Sequence, residues 1–107
     1  MSDYQTLKLL GEYHLALGDT LKAVECFEGA MELNNESCEP FLGLAAVSIF
    51  DGDYDAALSL YMKAASMEKS ARAHAGIGLV LAEQGKHDES FTHFLTALSI
   101  NPVDKVA

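Results

Sequence analysis

The sequence predicts an all-α solenoid of three antiparallel helix hairpins, six helices in all. Three observations carry that prediction. The turns Leu17-Gly18-Asp19, Asp51-Gly52-Asp53 and Gln84-Gly85-Lys86 place their glycines 34 and then 33 residues apart. Nine residues after each glycine stands an aromatic (Phe27, Tyr61, Phe94), and three residues later an alanine (Ala30, Ala64, Ala97). Seven residues before each glycine stands a small residue (Gly11, Ala45, Gly78), each preceded by a large aliphatic (Leu10, Leu44, Ile77). Self-similarity at such a period marks a chain whose hairpins bury their apolar faces only by stacking on one another.

The elements follow in order. Leu7, Leu10, Tyr13, His14 and Leu17 recur at helical spacing and predict a helix over 4–17. Leu21, Val24, Phe27, Ala30 and Met31 do the same over 20–33. The recurring landmarks extend the pattern to helices over 38–51, 54–67, 71–84 and 87–100. Each glycine suits the residue just past a helix, where a left-handed backbone is needed. Asp19 and Asp53 are then placed to cap the next helix, and Ser37 and Ser70 are further candidate caps. Lys86 cannot cap, so the third turn needs another arrangement. Pro40 falls in the first turn of its helix, where a missing N–H costs little. Gly11, Ala23 and Ala30 allow the two helices of one hairpin to approach closely, and Phe27 fills the space toward the next hairpin.

The bulk composition narrows the functional classes. The 107 residues fit one domain, and half of them are hydrophobic, too many for a disordered acidic tail. The formal net charge of −9 argues against nucleic acid and against anionic membrane surfaces. It weakly favours a basic partner. Cys26 and Cys38 make no disulfide framework and read as structural free thiols. No apolar stretch is long enough to span a bilayer, and Met1-Ser2-Asp3 opens no signal peptide, so a cytoplasmic location is expected.

The register of these residues resembles the tetratricopeptide repeat, with signature W-x2-L-G-x2-Y, A-x3-F-x2-A, P. The first unit reads Leu7, Leu10, Gly11, His14, Ala23, Phe27, Ala30, Asn35. The second reads Phe41, Leu44, Ala45, Ser48, Ala57, Tyr61, Ala64, Lys69, and the third His74, Ile77, Gly78, Leu81, Ser90, Phe94, Ala97, Pro102. No unit has the Trp or the later Tyr, and two lack the closing Pro. The 33-residue spacing removes one residue at the second junction, which bears on the local superhelical twist. The resemblance implies a right-handed superhelix in a single domain over 1–107. Its repeats fall at about 4–37, 38–70 and 71–103, with 104–107 beginning a truncated fourth.

The resemblance also implies a protein-binding module whose first helices line a concave groove for a peptide or helix. On this sequence the groove presents Gln5, Lys8, Leu9 and Glu12 from the first hairpin. The second presents Glu39, Leu42, Gly43, Ala46, Ile49 and Phe50, and the third Arg72, Ala75, Gly76, Leu79 and Glu83. One subfamily grips the C-terminal carboxylate of heat-shock chaperones with a two-carboxylate clamp. Of the clamp's five positions Lys8 and Arg72 fit, while Glu12, Gly43 and Gly76 do not, so such tails are not expected as ligands.

Other motifs read as structure. Asp51-Gly52-Asp53-Tyr54-Asp55 opens like a calcium loop but has Ala56 and Met62 where that loop needs Gly and Glu. Gly76-Ile77-Gly78 lies inside a helical stripe, follows no strand and lacks a third glycine. His87 and His93, six apart, do not share a helical face, and with His14 and His74 they read as surface or packing residues, His74 partly buried. Glu25, Glu28 and Glu32 form a solvated acidic ridge. Met31, Met62 and Met67 read as core filler. No nucleophile–base set, metal cluster or cofactor fingerprint appears, so no catalysis, metal or cofactor is expected.

Three functional readings follow. The first is a protein-interaction module that buries partner side chains against Leu9, Leu42, Ala46, Ile49, Phe50 and Leu79. The second is a scaffold or self-associating segment of a longer repeat array, with further residues or a second copy in a homodimer covering Phe91, Phe94, Leu95 and Leu98 on the uncapped last helix. The third is a secretion-type chaperone for an apolar partner, suggested by repeat number and groove.

Overall fold

The computed structural model describes residues 3–100. Six helices form three hairpins: α1 (Tyr4–Ala16) with α2 (Thr20–Leu33), α3 (Glu39–Phe50) with α4 (Tyr54–Met67), and α5 (Ala71–Glu83) with α6 (His87–Ile100). Among the described residues there is no strand. Residues 104–107, read above as opening a fourth repeat, lie outside the described residues.

Local chemistry sets the helix ends. Gly18, Gly52 and Gly85 have φ of 81°, 80° and 82°, the left-handed turn expected between the helices of each hairpin. The first helices stop one residue before the expected ends, because Leu17, Asp51 and Gln84 serve as C-caps. Asp19 and Asp53 accept the backbone N–H of Lys22 and Ala56 at 3.3 and 3.1 Å. Ser70 accepts that of Ala73 at 3.1 Å. Asp53 is thus engaged as a helix cap, in keeping with a turn at 51–55. Ser37 stands one residue outside the cap position, which Cys38 occupies without a side-chain bond. Its hydroxyl oxygen still accepts the Glu39 N–H at 3.2 Å, and the Tyr4 hydroxyl donates to it at 2.7 Å, tying the start of α1 to the start of α3. At the third turn the Lys86 carbonyl accepts the Ser90 N–H, the first bond of α6, as the Asp19 and Asp53 carbonyls accept those of Ala23 and Ala57.

α2 packs between α1 and α3, α4 packs between α3 and α5, and α6 packs on α5. At the first junction the Phe27 ring is fully buried with Ala23 and Val47. It lies between Gly11 and Gly43, where an added Cβ would overlap the ring from either side. At the second junction Cys38, Leu42, Ala64 and Ala73 form a core against which the half-buried Tyr61 packs. Tyr61 covers Gly76 as Phe27 covers Gly43. In the third hairpin Ser90 replaces the family's alanine and is buried. Its hydroxyl donates to the Gly78 carbonyl at 2.7 Å, so the substitution leaves no unpaired group there.

Cys26 and Cys38 are free thiols, and burial together with Glu68 and Glu39 pushes Cys38 up to about 11. A thiol so protonated is a packing group rather than a nucleophile.

Candidate partner-binding groove

α1 touches α3 along the inner face, whereas α3 and α5 stand further apart. The gap holds a cavity of about 270 Å³ lined by Ala46 and Ile49 of α3, Tyr54 and Tyr61 of α4, and Gly76, Leu79 and Glu83 of α5. Helical spacing explains the lining: 46 and 49 share one face of α3, and 76, 79 and 83 share one face of α5. Gly76 allows the Tyr61 ring to lie against the α5 backbone as the floor.

The residues expected in the groove divide into three groups. Gln5, Leu9, Glu12, Phe50, Arg72, Leu79 and Glu83 are exposed. Lys8, Glu39, Ala46, Ile49 and Ala75 are half-buried. Leu42, Gly43 and Gly76 are buried; Leu42 and Gly43 correct the expectation that all fifteen face a partner, while Gly76 still lines the cavity. Leu42 is only 1% exposed and belongs to the core between α3, α4 and α5. Its side chain holds repeats together. Gly43 lies beneath Phe27, and Gly76 meets the cavity only as backbone beneath Tyr61. The reason is that α3 is apolar on every side, so hydrophobicity alone does not tell its groove face from its packing face.

The structure adds Tyr54 and Tyr61 to the site. The repeat register marks Tyr61 only as the recurring aromatic. A tyrosine where Phe27 and Phe94 stand was the available signal, since a phenol wants a wet end beside its apolar body. Burial raises the Tyr61 hydroxyl above its usual range, and the nearby Arg72 charge partly opposes this. Arg72 also reaches across to Glu39, Nη1 to Oε1, at 3.3 Å. Arg72 is exposed and Glu39 half-buried at the surface, so the pair contributes only about 0–1 kcal/mol, but it joins the starts of α3 and α5.

A second cavity of about 510 Å³ lies on the other side of α5, walled by Leu58, Met62, Ile77 and Leu81, with Lys86, Glu89, His74 and His93 at its edge. His74 and His93 meet there, a convergence that their 19-residue separation hid. Their Nδ1 atoms are 3.2 Å apart, with ring centroids 5.4 Å apart and planes within 19°. Rings so nearly parallel, yet joined by their closest nitrogens, meet edge to edge. One Nδ1 donates and the other accepts. Burial, then the charge of His93, lowers the His74 pKa from 6.5. Among the described residues no group of three or more His, Cys, Asp or Glu side chains is placed to hold a metal ion.

On α6, Phe91, Leu95 and Leu98 are exposed, while Phe94 is half-buried against Gly78. Among the described residues no helix is long and apolar enough to cross a membrane.

Stacked helical hairpins with glycine turns and an aromatic wedged between repeats define a helical-repeat protein. The tetratricopeptide repeat model matches residues 4–37 and 71–104, well over half of the chain, and the chain belongs to that family. Repeats of this family mediate protein–protein interaction. No curated protein matches the chain. Among solved structures it is similar to MamA, at 25% identity and a TM-score of 0.81, over 92% of this chain and 58% of that one. The chain thus spans about three fifths of the MamA chains it matches. It is similar in fold to the Yersinia enterocolitica type III secretion translocator chaperone SycD (23% identity, TM-score 0.86, 95% of this chain and 78% of that one). It is likewise similar in fold to the second tetratricopeptide domain of Spaghetti (RPAP3) bound to the HSP90 peptide SRMEEVD (20% identity, TM-score 0.82, 92% and 87%).

Proposed function

We propose that the chain is a single-domain, non-catalytic interaction module that takes a segment of a partner protein into the groove between α3 and α5. The observation that carries the reading is the apolar cavity between those helices, open to solvent and floored by a half-buried tyrosine. Ile49 and Leu79 would lose exposed apolar area on binding, at roughly 25 cal/mol per Å² before ordering costs. Leu9 extends the surface onto α1. The family places ligands on this face. SycD, named as a translocator chaperone, and the Spaghetti domain, solved with a peptide, are protein-binding examples of the fold.

Two features shape the ligand. A clamp for C-terminal carboxylates has little support: Arg72 is paired with Glu39, and Gly43 and Gly76 lie beneath aromatic rings. Head-to-tail stacking of copies also has little support. In register, Leu9 stands where Gly43 and Gly76 receive the preceding repeat's ring, so Phe94 of one copy would meet a leucine in the next. The exposed Phe91, Leu95 and Leu98 leave a face-to-face pair of α6 helices as the form a homodimer would take.

Selection from a displayed library of random 12-residue peptides tests the proposal. Sequences enriched on the wild type should share an apolar anchor and lose binding to Leu79→Asp. Enriched sequences that bind Leu79→Asp equally well would place recognition elsewhere.

A further inference from the structure

We infer that the cavity between α3 and α5 receives one large apolar side chain from a partner segment that carries a lysine or arginine beside it, on the Glu83 side. The inference rests on the groove reading above and adds the chemistry of the occupant.

Size limits the apolar part. A cavity of about 270 Å³ is smaller than the sites that enclose whole drug-sized ligands, roughly 300–1,000 Å³, and suits a single side chain. Its walls, Ile49 and Leu79 with the Tyr61 ring beneath, offer contact to a leucine, methionine or phenylalanine.

Charge sets the neighbour, because the two ends of the cavity differ. At the starts of α3 and α5 the local cation, Arg72, is already paired with Glu39. At the other end Glu83 lines the cavity and is exposed. Beside it the Gln84 amide donates to Asp55 at 3.3 Å, drawing the acidic first turn of α4 against the end of α5. Asp51 closes α3, and the carbonyl ends of α3 and α5 add the negative pole of their dipoles. Lys86, the nearest cation in sequence, borders the cavity on the far side of α5. The chain as a whole carries −9. A cation next to the anchor therefore meets an acidic rim, whereas a carboxylate there meets repulsion.

Three synthetic 11-residue peptides of otherwise identical Ala/Ser/Gly sequence test this. One has a central Leu followed by Lys, one Leu followed by Glu, and one Ala followed by Lys. Each is titrated into the ¹⁵N-labelled protein at low and at high salt. The Leu–Lys peptide should shift the amides of Ala46, Ile49, Leu79 and Glu83 and bind about two- to fivefold tighter than Leu–Glu, the advantage an exposed ion pair gives. That advantage should shrink in high salt and in Glu83→Gln. Equal binding of Leu–Lys and Leu–Glu at these amides would overturn the charge inference and leave the groove reading standing. Equal binding of Ala–Lys and Leu–Lys would overturn the anchor. Shifts confined to other surfaces for all three peptides would overturn the groove reading itself.

Discussion

Phe27 and Tyr61 hold the same position in successive repeats, but Phe27 is sealed into its junction whereas Tyr61 borders a cavity at the next. Phe27 is fully buried, gripped between Gly11 and Gly43, with α1 and α3 in contact. Tyr61 is half-buried and leans on Gly76, and α3 and α5 part around a cavity. The connectors differ as well: 34–38 leads into α3, and the shorter 68–70 leads into α5. The residue lost between 34- and 33-residue spacing thus falls in the connector, while the Gly–aromatic packing is kept. A repeat protein can keep one packing rule throughout and still differ in how tightly successive first helices close on each other.

The comparison can be broken by paired substitutions. The largest effect is expected for Phe27→Ala, which should lower stability by about 3–5 kcal/mol in urea denaturation, while Tyr61→Ala costs about half as much. Equal losses would mean that the two junctions are equally tight. Next come Gly43→Ala and Gly76→Ala. Each gains up to about 1 kcal/mol of helix propensity and sets a Cβ against a ring. The enclosed Phe27 has nowhere to turn, so Gly43→Ala should be destabilising overall by about 1–2 kcal/mol. Tyr61 can swing into its cavity, so Gly76→Ala should be near neutral.

The smallest effect concerns the third hairpin. The folded pKa of His74 lies below 6.5, so under acid conditions the unfolded chain binds more protons there. Its contribution to stability is present above pH 6.5 and is lost as the pH falls from 6.5 through the lowered value. Two protonated rings would also set N–H against N–H across the His74–His93 contact. Lys86 and Glu89 line the cavity that His74 and His93 share, and Lys69 lines a neighbouring one with His74. A His74→Leu variant should lose less stability between pH 7 and pH 5 than the wild type. An identical decline would remove the pair from the account.

Much of the fold was legible because glycine and small residues punctuate it. The turns at Gly18, Gly52 and Gly85 fixed the hairpins, and the aromatics nine residues on fixed the junctions. The site was less legible. A repeat register assigns a position to the inner face but not its depth, so Leu42 and Gly43 looked available when core packing and the Phe27 ring cover them. Tyr54 joins the site only because α3 and α5 part, a distance that no local pattern encodes. His74 and His93 belong to different helices, and only the closing of the third hairpin brings them together.

The most direct test fills each junction in turn. Ala46 lines the cavity of the second junction, and Glu12 is its counterpart one repeat earlier. Affinity for a library-selected peptide would be measured by calorimetry on Ala46→Phe and Glu12→Phe, both first shown to be folded. The account predicts at least about a tenfold loss for Ala46→Phe, some 1.4 kcal/mol, and little change for Glu12→Phe. Undiminished binding by Ala46→Phe would contradict it.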